Sequence, residues 1–84
     1  MSIEISNLNG TNEADGDFRC VGLITNKGKK ALRGITVEVT MFDDGTLVGV
    51  EEDYVGDLPA GSRRGFEVTR WDCYCSNFEV NCFL

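Results

Sequence analysis

The chain contains no histidine and has few basic residues. Without histidine it lacks the commonest general base, the commonest nitrogen ligand of zinc, and any Ser-His or Cys-His catalytic pair. Its 14 acidic and 8 basic residues give a net charge of −6. A field of that sign repels the phosphates of nucleic acids and anionic membrane surfaces. The composition therefore disfavours nucleic-acid binding and most catalytic mechanisms.

Long apolar runs are also missing. No run approaches the roughly 20 residues of a membrane-spanning helix, so we expect no insertion into a membrane. Residues 1–4 have neither the basic start nor the apolar segment of a signal peptide. We expect a cytoplasmic protein from the chain as written, and an envelope or extracellular one if an export signal lies upstream in a longer product. The 84 residues predict a single domain, 1–84, with one core.

Two runs, 18–28 and 35–45, alternate apolar and polar residues and end at turn signals. This period of two is typical of antiparallel strands with one solvated face. Residues 7–16, rich in Asn, Asp and Gly, are predicted as a loop. Further short strands are predicted at 3–5, 46–54, 62–70 and 77–83. Since no segment has a helical period, the pattern predicts an all-β sandwich of six or seven strands.

Three short motifs resemble those of the FxLYD domain family. Val-Thr-Met-Phe-Asp at 39–43 is similar to the Phe-x-Leu-Tyr-Asp motif, with only the Asp identical. The segment Val-Gly-Leu-Ile-Thr-Asn-Lys-Gly at 21–28 is similar to Gly-x-Val-x-Asn-x-Gly. Leu-Pro-Ala-Gly at 58–61, followed by Phe66, is similar to Leu-x-Pro-Gly…Phe. The resemblance implies an Ig-like antiparallel β-sandwich of about seven short strands, found in bacterial and archaeal surface or envelope proteins, with no catalytic residues.

The four cysteines, Cys20, Cys73, Cys75 and Cys82, leave three interpretations open. One or two disulfides would each stabilise a small domain by about 2–4 kcal/mol, but sequence cannot choose among the three pairings. Free thiols are the second interpretation, because Cys20 and Cys82 lie in phase with core residues. A zinc site is the third, although the tight Cys-x-Cys spacing at 73–75 disfavours it.

Charged turns and exposed aromatic residues are the remaining candidates for binding. The acidic residues at 43–44 and 51–53 lack the spacing of a calcium loop, so they are interpreted as solvated surface. A basic tip is formed by Lys27, Lys29, Lys30 and Arg33, and it is interpreted mainly as a solubilising turn. Trp71 and Tyr74 are either edge packing or an exposed recognition patch.

Taken together, these patterns predict a non-catalytic structural or protein-interaction module without a cofactor. Its partner would be a protein. Because a sandwich leaves unpaired edges, the chain would be a monomer or a weak edge-strand dimer. The alternative function is a cysteine-based metal-binding or redox module that uses Cys73, Cys75, Cys82 and Cys20.

Overall fold

The computed structural model describes residues 2–84, which form six strands and no helix. The all-β prediction is confirmed, with six strands in this part of the chain instead of about seven. No helix in residues 2–84 could therefore span a membrane. The strands are β1 Ile3–Asn12, β2 Phe18–Asn26, β3 Leu32–Asp43, β4 Thr46–Leu58, β5 Arg63–Arg70 and β6 Asn77–Phe83.

The strands form two antiparallel sheets of three, ordered β1-β2-β5 and β4-β3-β6. Alternate residues of β2 and β3 are buried, as the period of two predicts. Two core clusters each contain side chains from both sheets, so the sheets pack face to face. The largest fully buried apolar side chains are Phe18, Ile24, Ile35, Met41, Leu58, Val37 and Val39.

The loop predicted at 7–16 is wrong over its first half, because β1 continues to Asn12. Ile3 and Ile5 pack against the core, whereas the polar residues that follow suit an edge strand whose backbone pairs with β2 while most of their side chains face solvent. A register shift between Ser6 and Asn9, with Asn7 at φ 53°, lets the pairing resume after the interruption. Gly10 lies against the rings of Phe78 and Phe18, where a Cβ would collide with Phe78 and lie 2.8 Å from Phe18.

Asn26 is the one buried polar side chain among residues 2–84. Its Nδ2 donates to the carbonyls of Lys30 at 2.8 Å and Leu58 at 3.0 Å, while its Oδ1 accepts from the Gly28 N–H at 2.9 Å. Its backbone N–H also donates to the Ser62 carbonyl at 2.9 Å. Asn26 thereby ties the β2–β3 loop to the β4–β5 loop at one end of the sandwich.

Replacing Asn26 with Ala should lower the free energy of unfolding by about 3 kcal/mol, because three side-chain hydrogen bonds are lost and a buried carbonyl loses its donor. Urea unfolding followed by circular dichroism measures this. Asn9→Ala, at an exposed position of β1, is the control and should cost under about 0.5 kcal/mol. Equal losses in the two variants would contradict the role given to Asn26.

Candidate functional site

Residues 71–76 connect β5 to β6 and alternate between solvent and core. Trp71 and Tyr74 expose 80% and 63% of their surface, whereas Cys73 and Cys75 are buried. Both aromatic side chains singled out in the sequence therefore lie in solvent. The two buried cysteines together anchor the segment in the core.

The connection is held to β1 by two hydrogen bonds between Asn12 and Cys75. Asn12 Nδ2 donates to the Cys75 carbonyl at 2.8 Å, and Asn12 Oδ1 accepts from the Cys75 N–H at 2.9 Å. The amide side chain thus pairs with the loop as a neighbouring strand would. Its two bonds fix the backbone beside Tyr74.

Both neighbouring loops also bond to this connection. The Cys73 N–H donates to the Gly16 carbonyl at 3.1 Å, and the Ser76 N–H donates to the Phe42 carbonyl at 2.9 Å. The Asp44 N–H donates to Ser76 Oγ at 2.9 Å. Residues 71–76 are therefore fixed from both sheets, although they have no regular secondary structure.

Arg70, which precedes Trp71, packs across the gap between the sheets. Its guanidinium lies against Gly49 of β4, where a Cβ would collide with it, and Nη1 donates to Glu51 Oε2 at 2.7 Å. An open depression of about 570 Å³ is lined by Glu51, Thr69, Arg70 and Trp71. This contact was not predicted from the sequence. Gly49 inside a strand was the available signal for the close approach.

The cysteines do not come together as one group of four. Cys20, Cys73 and Cys75 belong to one core cluster, whereas Cys82 packs against the other. All four are free thiols. Cys82 does not approach Cys73 or Cys75, because β6 is extended and carries Cys82 away along the sheet. The five steps from Asn77 to Cys82 span roughly 17 Å at about 3.3 Å per residue, whereas a disulfide tolerates only roughly 7 Å between Cα atoms.

The thiols have the character of core side chains. Burial raises the pKa of Cys20, Cys73 and Cys82, and the neighbouring Cys75 adds to the shift at Cys20 and Cys73. A raised pKa disfavours the thiolate, which is the form that attacks disulfides and binds metals. No group of three or more potential ligands among residues 2–84 is arranged to hold a metal ion. The structure thus offers no observation in favour of the metal or redox alternative.

Charge is divided between the two ends of the sandwich. The loops around Trp71, at 13–17, 44–45 and 71–76, contain acidic residues and no basic ones. The predicted basic tip lies at the opposite end, because β2 and β3 meet there. The acidic loop residues are Glu13, Asp15, Asp17, Asp44 and Asp72, and the basic residues of the far end are Lys27, Lys29, Lys30, Arg33 and Arg63.

Comparison of the chain with known protein families, curated proteins and solved structures finds no match. The FxLYD resemblance therefore stays a prediction from the motifs at 39–43, 21–28 and 58–66.

Four free thiols predict a specific alkylation result. Iodoacetamide added to the unfolded, unreduced protein should modify four cysteines, and prior reduction should not change the number. Intact-mass spectrometry reads the count directly. Fewer than four additions before reduction, restored to four after it, would show a disulfide and contradict this arrangement.

Asn12→Ala should loosen the connection between β5 and β6. Loss of two hydrogen bonds weakens local closure by about 1–2 kcal/mol, so native-state alkylation of Cys73 and Cys75 should become about tenfold faster. Peptide mapping after a timed pulse of reagent measures each site. Cys20, on β2, serves as the internal reference and Asn9→Ala as the matched variant. Unchanged rates at Cys73 and Cys75 would contradict the anchoring role of Asn12.

Proposed function

We propose that this chain is a non-catalytic protein-interaction domain that binds its partner through residues 71–76. The observation that carries the proposal is the 80% exposure of Trp71 on a backbone fixed by its neighbours. Tryptophan and tyrosine contribute most strongly to protein interfaces, and large apolar side chains left in solvent mark such sites when they cluster. A fixed backbone also lowers the entropy lost on binding.

The proposal includes an Ig-like type of sandwich. Two facing antiparallel sheets with connections gathered at both ends are compatible with that architecture. Membership of the FxLYD family is supported by the order of the sequence motifs alone. In sandwiches of this type the end loops commonly carry the binding residues, which suits the position of Trp71 and Tyr74.

We propose that the partner presents a segment rich in arginine or lysine. The loops at 13–17, 44–45 and 71–76 lie at the same end of the sandwich as the aromatic pair and carry acidic residues that would attract such a segment. The nearby arginines, Arg19 and Arg70, are paired with Glu13 and Glu51. The exposed rings of Trp71 and Tyr74 can accept cationic side chains over their faces. The basic end of the sandwich lies away from this surface, so it would not oppose the approach.

Synthetic peptides of equal length test this function. An arginine-rich, a neutral and a glutamate-rich peptide, each carrying a fluorophore, are titrated with the protein and followed by anisotropy. The arginine-rich peptide should bind best, and Trp71→Ala and Tyr74→Ala should each weaken it by about tenfold or more. Added salt should weaken it further, because exposed charges are screened.

Tyr54→Ala is the matched control for these variants. Tyr54 is 70% exposed, but it lies in β4, away from the loops around Trp71. Its removal should leave peptide affinity unchanged. The proposal fails if Trp71→Ala and Tyr74→Ala bind like Tyr54→Ala, or if the glutamate-rich peptide binds as well as the arginine-rich one.

A further inference from the structure

The two sheets end in four edge strands, β1 and β5 in one sheet and β4 and β6 in the other. An edge strand presents free N–H and C=O groups that can pair with another chain unless something interrupts or occupies them. Three of the four edges carry such a protection in residues 2–84. The fourth edge strand, β6, lacks such a protection in these residues.

The edges of β4 and β5 are tied to each other by side chains that cross between the sheets. Three hydrogen bonds make this link. Two of them engage backbone groups of the edge strands, a carbonyl of β4 and an N–H of β5. Glu51 and Asp53, predicted as solvated acids, are thus engaged with β5. The bonds run from Arg64 Nη1 to the Val55 carbonyl at 2.6 Å, from the Glu67 N–H to Asp53 Oδ2 at 3.0 Å, and from Arg70 Nη1 to Glu51 Oε2 at 2.7 Å.

The edge of β1 is interrupted in its middle. The register with β2 shifts between Ser6 and Asn9, and Asn7 takes a positive φ of 53°. Bulges of this kind twist an edge away from regular pairing. β1 is therefore a poor template for a further strand.

β6 pairs regularly with β3 along its seven residues. Its register with β3 runs from Phe83 opposite Thr36 to Asn77 opposite Phe42 without a shift. Within residues 78–83 it carries no proline, glycine or basic residue. Its inward side chains, Phe78, Val80 and Cys82, are only half-buried, so the core is incompletely covered along this edge.

We propose that β6 pairs antiparallel with β6 of a second copy of this chain, about a two-fold axis at Val80. The two sheets would then join into one six-stranded sheet ordered β4-β3-β6-β6-β3-β4. Such an isologous contact closes on itself and gives a dimer, not a fibre. The added strand would cover the half-buried side of Phe78 and Cys82 in both copies.

The sequence of β6 is complementary to itself in this register. Val80 would face Val80 of the partner subunit, and Phe78 would face Cys82 of the partner subunit, all on the core side. On the outer face, Glu79 would face Asn81 of the partner subunit, so the two glutamates are not opposite each other. Directly opposed like charges destabilise a strand pair, and this register avoids them.

Two charge variants at exposed positions of β6 test the register. Asn81→Lys would face Glu79 of the partner subunit twice, once on each side of the axis, and should tighten the dimer about fivefold. Within the monomer the new lysine lies opposite Glu38, so it should not disturb the fold. Glu79→Lys combined with Asn81→Lys would set lysine against lysine twice and should weaken the dimer about fivefold relative to the native chain.

Sedimentation equilibrium from micromolar to millimolar concentration measures the dimer constants of the native chain and both variants. A non-specific charge effect gives a different order, because the double variant reduces the negative net charge of −6 the most and would then associate best. Hydrogen exchange at low and high concentration adds a second readout, in which protection should rise in residues 78–83. A native chain that stays monomeric at millimolar concentration, or a dimer in which the double variant is the tightest, would overturn the proposal.

Discussion

The hydrogen bonds of the buried Asn26 amide are the interaction on which one end of the sandwich depends. The two sheets of three strands pack through their inward faces and are linked at the β4 and β5 edges, but the loops that connect the strands have no backbone pairing of a sheet. Asn26 supplies the missing partners for Lys30, Leu58 and Gly28. Without it, buried backbone groups in two loops would lose their bonds at once.

The opposite end of the sandwich also depends on the hydrogen bonds of an asparagine amide, which there fix the loop that exposes the aromatic pair. There the amide of Asn12 makes two bonds to the backbone of Cys75, across 63 positions of sequence. Cys73 and Cys75 fill the core below, where cysteine packs as a small apolar side chain. The same segment sends Trp71 and Tyr74 into solvent. The same alternating stretch therefore stabilises the fold through its buried cysteines and exposes the aromatic pair. This links the fold to the proposed binding function.

Local patterns in the sequence predicted the centre of the fold well. The alternation of β2 and β3 identified their buried faces. Gly22 inside β2 lies against the Phe66 ring, 2.6 Å from where a Cβ would be, and a glycine within a strand is typical of such a close approach. The end of β1 was missed, because pairing through the backbone leaves no apolar pattern in the side chains of an edge strand.

Contacts between distant residues were beyond reach of such patterns. No sequence pattern connects Asn12 with Cys75, because their contact depends on how the two sheets are stacked. The exposure of Trp71 was open for the same reason, because a tryptophan at a strand end can lie on either side of the chain. The separation of Cys82 from the other three thiols became evident only from the course of β6, which places it against the other core cluster.

The central claim is that residues 71–76 form a fixed platform for two exposed aromatic side chains. Backbone ¹⁵N relaxation of the free protein tests it most directly. The amides of residues 72–76 should have order parameters near those of β6, at about 0.85 as in rigid backbone. Values below about 0.6, typical of a flexible loop, would contradict the account.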